Sequence, residues 1–342
     1  MEVYPFMNLE QLASVALKMV SANKGLLAAD ESTGTISKRL ASVGLDSTEE
    51  SRRDYRGMLF CTEGLGQYIS GVILYDETIR QVSKDGVPLT RLLIDQGILP
   101  GIKVDTGAKA LAGSDGEKVT EGLDGLYDRV SEYVELGAKF AKWRAVVSIS
   151  ATLPSNYCIN VNAHALARYA RICQEVGLVP IVEPEVLMDG SHTIDRCSEV
   201  TEHTLEIVFR ELVAQGVELG GMILKPNMII SGKDCPQQAG PEEVAARTIL
   251  GLQRTVPAEV PGIMFLSGGQ SEADATAHLN AMNAGDACPW ALSYSYGRAL
   301  QESALKSWGL NQKDSLVAQG RLLKRAHLNS AACAAQYVGE VA

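Results

Sequence analysis

The stretch GGMILKPNMI, residues 220–229, ends an apolar run on one lysine, Lys225, with a proline directly after it. Lysine is among the residues least often fully buried, and an unpaired buried ammonium costs several kcal/mol. A lysine at the end of a core strand therefore has either a route to solvent or a chemical task. Other charged or polar residues recur in the same kind of place. Lys103 and Asp105, Lys142 and Arg144, and Glu183 and Glu185 stand two apart at the ends of apolar runs, while Asp30 closes the first run and Ser267 the seventh. Side chains two apart on a strand share a face. As the free amine Lys225 attacks a ketone, and burial and a neighbouring cation such as Lys142 both favour that form. The resulting imine is an electron sink, which permits making or breaking a C–C bond next to the former carbonyl carbon. Such a cycle needs a group that gives and takes protons, and Glu183 is of the right type.

Each residue also has a plainer use. Lys225 can snorkel to solvent, Glu183 and Glu185 can form structural ion pairs with Lys142 or Arg144, and Asp30 can cap a helix in DESTG. These explanations are independent of one another. Five strands would have to carry charge at their core ends for unrelated reasons.

Two anion sites are also readable. FLSGGQ (265–270) supplies Ser267, Gly268 and Gly269, and SYGRAL (295–300) supplies Ser295, Gly297 and Arg298. The glycines let backbone N–H groups approach a phosphate. A second site draws on Ser32, Thr35, Lys38 and Arg39 in DESTGTISKR, with Lys103 on a nearby strand. Ordinary turns and a capped helix start are the competing explanations. The five histidines show no HxH or HExxH spacing, so the expectation is no metal and no cofactor.

Positioning such groups together requires elements that end at one place. Eight apolar runs with polar ends recur: 25–30, 69–77, 99–105, 139–147, 178–186, 220–228, 262–269 and 290–297. The fourth to seventh begin about 40 residues apart, which suits a βα unit. Helical periodicity fills the gaps over 160–176, 199–215 and 242–256, with an amphipathic helix over 8–20. Asp124, Glu242 and Ser271 stand near plausible helix starts. Residues 106–122 are the most loop-like. Eight strands alternating with helices predict an α/β fold, a closed (β/α)8 barrel over roughly 20–310, with an extra N-terminal helix and a C-terminal helical region and tail over 311–342, all one domain. An open doubly wound sheet is the structural alternative. No GxGxxG follows the first strand, which weakens a dinucleotide reading.

The bulk numbers fit a globular protein of 342 residues with 46% hydrophobic and 21% charged residues. A net charge of −10 argues against nucleic-acid binding, and no apolar run approaches a membrane span or a signal peptide. Seven cysteines without a CxxC pair read as free thiols in a reducing compartment.

The segments LLAADESTGTISKR, GIKVDTGAK, FAKWRAV, VPIVEPEVL, ILKPNM, FLSGGQSE and SYGRALQ, in order from about residue 20 to 310, closely resemble class I fructose-1,6-bisphosphate aldolase. The resemblance implies a metal-independent (β/α)8 enzyme that cleaves fructose 1,6-bisphosphate reversibly to dihydroxyacetone phosphate and glyceraldehyde 3-phosphate. It implies Lys225 as the Schiff-base lysine and Glu183 as proton donor and acceptor. Asp30 and Lys142 would handle the C4 hydroxyl, with Arg144 and Glu185 in the supporting charge network. The C1 phosphate would rest on Ser267, Gly268, Gly269, Ser295, Gly297 and Arg298, and the C6 phosphate near Arg39, Lys103, Ser32 and Thr35, though Arg39 could serve either end. A cytoplasmic homotetramer whose partner is a phosphorylated sugar is implied too. Many members of that family carry a terminal tyrosine on a longer tail. This chain ends AAQYVGEVA, so Tyr337 is its last tyrosine but is not terminal. Competing readings are another Schiff-base sugar-phosphate aldolase or transaldolase, and a non-catalytic scaffold.

Overall fold

The protein is described by a computed structural model covering residues 8–312 and 315–340. Eight parallel strands close into a barrel: Gly25–Ala29, Ile69–Leu74, Leu99–Lys103, Phe140–Val147, Val179–Val186, Ile223–Leu224, Gly262–Phe265 and Ala291–Tyr296. They follow one another around the ring in chain order. The eighth pairs back to the first through Leu26↔Ser295 and Leu27↔Tyr296, which excludes the open sheet. Each of the eight apolar runs holds one strand.

Strand alternation sorts the side chains into two cores. Leu27, Ala29, Trp143, Val182, Leu224 and Phe265 point outward and pack under the helices. Leu26, Ala28, Ile73, Phe140, Val179, Ile181, Ile223 and Met264 fill the barrel interior. The N-terminal helix, Leu9–Met19, plugs that interior with Leu12, Ala16 and Met19. Asn8 accepts from the Gln11 N–H and so fixes its start. Phe140 is too large for a ring of branched residues alone. A Cβ at Gly101 would stand 2.1 Å from the Phe140 ring, so the glycine on the third strand makes the room.

Helices return the chain between strands. Asn156–Glu175 and Ile194–Ala214 begin a few residues earlier than the periodicity suggests, and Pro241–Thr255 one residue earlier. Ser271 caps Glu272–Asn283 through the Asp274 N–H, whereas Asp124 lies just outside Leu126–Glu135, whose flanking residue is Gly125 in the left-handed region. The stretch 106–122 is not a plain loop. Gly107–Ala110 and Lys118–Glu121 form an antiparallel hairpin beside the barrel mouth. Its strands are too short and polar for periodicity to reveal.

The final helix, Leu316–Cys333, leads to residues 334–340. There the Tyr337 N–H donates to Asn280 Oδ1 at 2.9 Å. Asn280 lies in the last turn of Glu272–Asn283, a helix that starts at the strands' C-terminal ends. Tyr337 therefore docks at the far end of that helix from the charged residues. None of the seven cysteines is bonded to another. Among the described residues no helix is long and apolar enough to cross a membrane.

Candidate active site

The charged residues at the strand ends continue the interior rows. Going up the barrel, Phe140 is followed on the same face by Lys142, Ile181 by Glu183, Ile223 by Lys225, and Ala28 by Asp30. The register sets their neighbours: Lys103 stands opposite Lys142, and Arg144 opposite Glu183. Lys225 follows a strand of only two residues, yet its backbone is pinned on both sides. Its N–H donates to the Val182 carbonyl at 2.8 Å, and the Pro226 carbonyl accepts from Leu266 at 3.1 Å. Asn227 Oδ1 accepts from the Val186 N–H at 2.9 Å while its amide donates to Thr201.

Four side chains then form one alternating row. Asp30 Oδ2 lies 2.7 Å from Lys142 Nζ, Lys142 Nζ lies 3.4 Å from Glu183 Oε2, and Glu183 Oε1 lies 3.3 Å from Lys225 Nζ. Lys142, Glu183 and Lys225 are each 3–4% exposed. Burial, first, and the Lys142 charge push the Lys225 ammonium below its ordinary pKa, and Glu183 only partly opposes them. Lys142 goes the other way. Burial would lower it, but Asp30, Glu183 and Asp105 together hold it well above the usual lysine range. Burial would likewise raise Asp30, yet Lys142, Lys225 and Lys103 outweigh it and keep the carboxyl well below the usual carboxylate range. The row thus contains one committed ammonium, one committed carboxylate, and one lysine displaced toward the free amine.

These groups open into a cavity of about 230 Å³. Its walls include Asp30, Lys103, Lys142, Arg144, Glu183 and Lys225, and also Ser32, Thr35, Arg39 and Gly297. The Ser32 hydroxyl meets Thr35 Oγ1 at 3.1 Å and does not cap the helix Thr33–Ala41. Asp30 is not a cap either, since its partner is Lys142. Glu185 is buried outside the cavity wall and pairs with Arg144.

The loops after the seventh and eighth strands meet beside this cavity. Gly268 and Gly269 have φ of +60° and +99°, conformations that favour glycine. A Cβ at Gly269 would lie 3.2 Å from Arg298 Nη2, so the guanidinium lies against that turn. Ser267 and Ser295 are buried, and Ser295 Oγ has no hydrogen-bond partner. Gly269 lines an adjacent cavity of about 330 Å³, and Arg298 shares another of about 270 Å³ with Arg39. Of the six residues expected around one phosphate, only Gly297 borders the Lys225 cavity directly.

The sequence reading overlooked Glu31. This buried carboxylate pairs with Arg39, accepts from Gln301 Nε2 at 3.1 Å, and lies 3.8 Å from the fully buried Arg56. Its only sequence signal is adjacency to Asp30, with which it lines the same cavity beyond the end of the first strand. Asp105 also does more than pair with Lys103 at 3.5 Å. Its carboxylate receives the Gly107 and Arg144 N–H groups and so seats the hairpin on the fourth strand. Among the described residues no group of three or more His, Cys, Asp or Glu side chains is arranged to hold a metal ion.

The family model described as "Glycolytic: Fructose-bisphosphate aldolase class-I" matches residues 11–342. The chain is 56% identical over 334 residues to the "Probable fructose-bisphosphate aldolase class 1" of Xylella fastidiosa (strain 9a5c), covering 97% of this chain and 100% of that protein. It is 52% identical to "Fructose-bisphosphate aldolase 6, cytosolic" of Arabidopsis thaliana, covering 97% and 92%. A solved ternary complex of fructose-bisphosphate aldolase from Plasmodium falciparum, with TRAP and a small-molecule inhibitor, superposes with a TM-score of 0.97 at 48% identity over 99% of this chain and 98% of that one. The chain belongs to the class I fructose-bisphosphate aldolase family.

Proposed function

We propose that the chain cleaves fructose 1,6-bisphosphate reversibly to dihydroxyacetone phosphate and glyceraldehyde 3-phosphate through an imine on Lys225. The observation that carries this reading is the row Asp30–Lys142–Glu183–Lys225 at 2.7, 3.4 and 3.3 Å. The Lys225 amine adds to the C2 ketone. Glu183, within reach of that nitrogen, delivers the proton with which the carbinolamine hydroxyl leaves as water. The C4 hydroxyl faces Asp30 and Lys142. As its proton passes to Asp30, the C3–C4 electrons flow into the iminium and the aldehyde departs, leaving an enamine. Protonation at C3 and hydrolysis, with Glu183 acting in reverse, release the ketone product and restore the amine. Arg144 and Glu185 hold the charge network in place. Ser267, Gly268, Gly269, Ser295, Gly297 and Arg298 take the C1 phosphate, and Ser32, Thr35, Lys103 and Arg39 the C6 phosphate.

Family membership supports this substrate over a transaldolase or a scaffold role. A cytoplasmic homotetramer is part of the same proposal, resting on the family resemblance and tested by light scattering and cell fractionation. The mechanism is tested by incubating the protein with dihydroxyacetone phosphate and borohydride in EDTA, then mapping the adduct by peptide mass spectrometry. A stable adduct on Lys225 is expected. An adduct elsewhere overturns the assignment, and activity abolished by EDTA overturns the chemistry.

A further inference from the structure

Arg325, on the last helix, is 2% exposed and lies outside the Lys225 row and its cavity. A buried guanidinium needs a counter-charge and acceptors for its donors. Among the described residues its only ion-pair partner is Glu340, in the segment after the helix. Its Nη2 donates to the Glu272 carbonyl and, at 2.6 Å, to Thr276 Oγ1. Thr276 in turn donates to Asn329 Oδ1 at 2.8 Å, and Asn329 Nδ2 donates to the Arg325 carbonyl at 2.9 Å. Arg325 thereby grips the first turn of Glu272–Asn283, directly behind the Ser267–Ser271 loop.

Glu272 extends the grip sideways. Its Oε1 accepts from the Ser303 N–H at 3.1 Å and from Ser303 Oγ at 3.2 Å. Ser303 belongs to Arg298–Leu310, the helix that begins at Arg298 itself. The two halves of the phosphate site, one after the seventh strand and one after the eighth, are thus tied through a single residue.

We propose that Glu272, Arg325 and Glu340 are positioning residues that fix the spacing of the two phosphate-binding loops, with Glu340 as the counter-ion that keeps Arg325 in place. This rests on the reading of those loops as the C1 phosphate site. Without Glu340 the guanidinium loses the carboxylate it pairs with and its hold on the Glu272 carbonyl slackens. Without the Glu272 side chain the link to Ser303 is lost while Arg325 keeps its backbone acceptor. Either change moves the loops relative to each other without touching the Lys225 row.

The test titrates inorganic phosphate calorimetrically into the wild-type protein and the Glu340→Gln and Glu272→Ala variants, alongside steady-state kinetics with fructose 1,6-bisphosphate. Phosphate binding and KM should each weaken about tenfold in both variants, the scale of one charge-assisted hydrogen bond, with kcat within about twofold of wild type. A double variant, Arg325→Met with Glu340→Leu, removes the buried charge together with its partner. It should regain thermal stability but keep the phosphate defect. Phosphate affinity that returns along with stability would overturn positioning in favour of a structural role. Unchanged phosphate binding in both single variants would overturn the proposal while leaving the phosphate site intact. Failure of the wild type to bind phosphate in competition with substrate would overturn the site reading and the proposal with it.

Discussion

Replacing Glu183 with glutamine keeps the side chain's shape and an acceptor oxygen but removes its charge and its exchangeable proton. Two effects follow from the structure. Loss of general acid–base action should slow imine formation by about 10²–10⁴-fold, or roughly 3–5 kcal/mol of barrier. The second effect concerns Lys225. Its ammonium lies 3.3 Å from the carboxylate, and at an effective dielectric of about 20 a unit-charge pair at that distance is worth about 5 kcal/mol. Burial and Lys142 already push Lys225 toward the amine, and Glu183 is the main opposition. Removing it leaves only the weaker pull of Asp30 against them, so the free amine is populated at lower pH in the variant. The assay is rapid-quench borohydride trapping with dihydroxyacetone phosphate across a pH series. The plateau rate should fall by the stated factor, and the acid limb should move to lower pH. An unchanged plateau would remove Glu183 from the dehydration step. An acid limb moving to higher pH would refute the electrostatic account of Lys225.

Asp30→Asn should cost about 3 kcal/mol at neutral pH, because Lys142 loses its nearest carboxylate. The folded protein holds Asp30 below its ordinary value of 3.8, so its contribution is in place above about pH 4 and fades as pH falls further. Urea denaturation from pH 2 to 7 should therefore show a flatter acid limb in the variant, and parallel curves would contradict the sign. Ser295→Ala should raise stability by about 1 kcal/mol, since the buried Oγ has no partner, while raising KM. A more stable enzyme with unchanged KM would mean the hydroxyl is not reserved for phosphate. Gly101→Ala should destabilise by about 3 kcal/mol because its Cβ would stand 2.1 Å from Phe140. A change below about 0.5 kcal/mol in denaturant unfolding would mean the ring turns aside at little cost.

The parts of the molecule that were legible in the sequence are those where one strong local signal suffices. An apolar run announces a buried strand, and a charge two residues beyond an interior residue stays on the interior face. Phe140 and Lys142, or Ile181 and Glu183, show that rule holding. Glu31 defeats it because it lies beyond the end of the first strand, where the alternation stops, and its partners Arg39, Arg56 and Gln301 come from three separate helices. The hairpin at 107–121 was missed for another reason. Four-residue strands with exposed lysines lack the alternation that marks a half-buried sheet. Arg325 and Glu340 carry no local signal, because burial of the arginine depends on how the last helix packs against a helix some fifty residues earlier.

Closure of the ring has a consequence for how the protein is made. The first strand has a second-strand neighbour early in synthesis, but its other edge waits for residues 291–296. The Ser293 hydroxyl finally meets the Lys24 carbonyl at 2.6 Å across 269 positions of chain. Contacts of such separation make folding slow and leave an unpaired edge exposed while the chain grows. Three groups of the central row come from the consecutive fourth, fifth and sixth strands, but Asp30 comes from the first, so the row is complete only when the first strand takes its place in the ring. Turnover is then a readout of ring closure. In refolding from denaturant, helical signal should return first, and cleavage of fructose 1,6-bisphosphate, which needs Asp30, should return only with the pairing of the first and last strands.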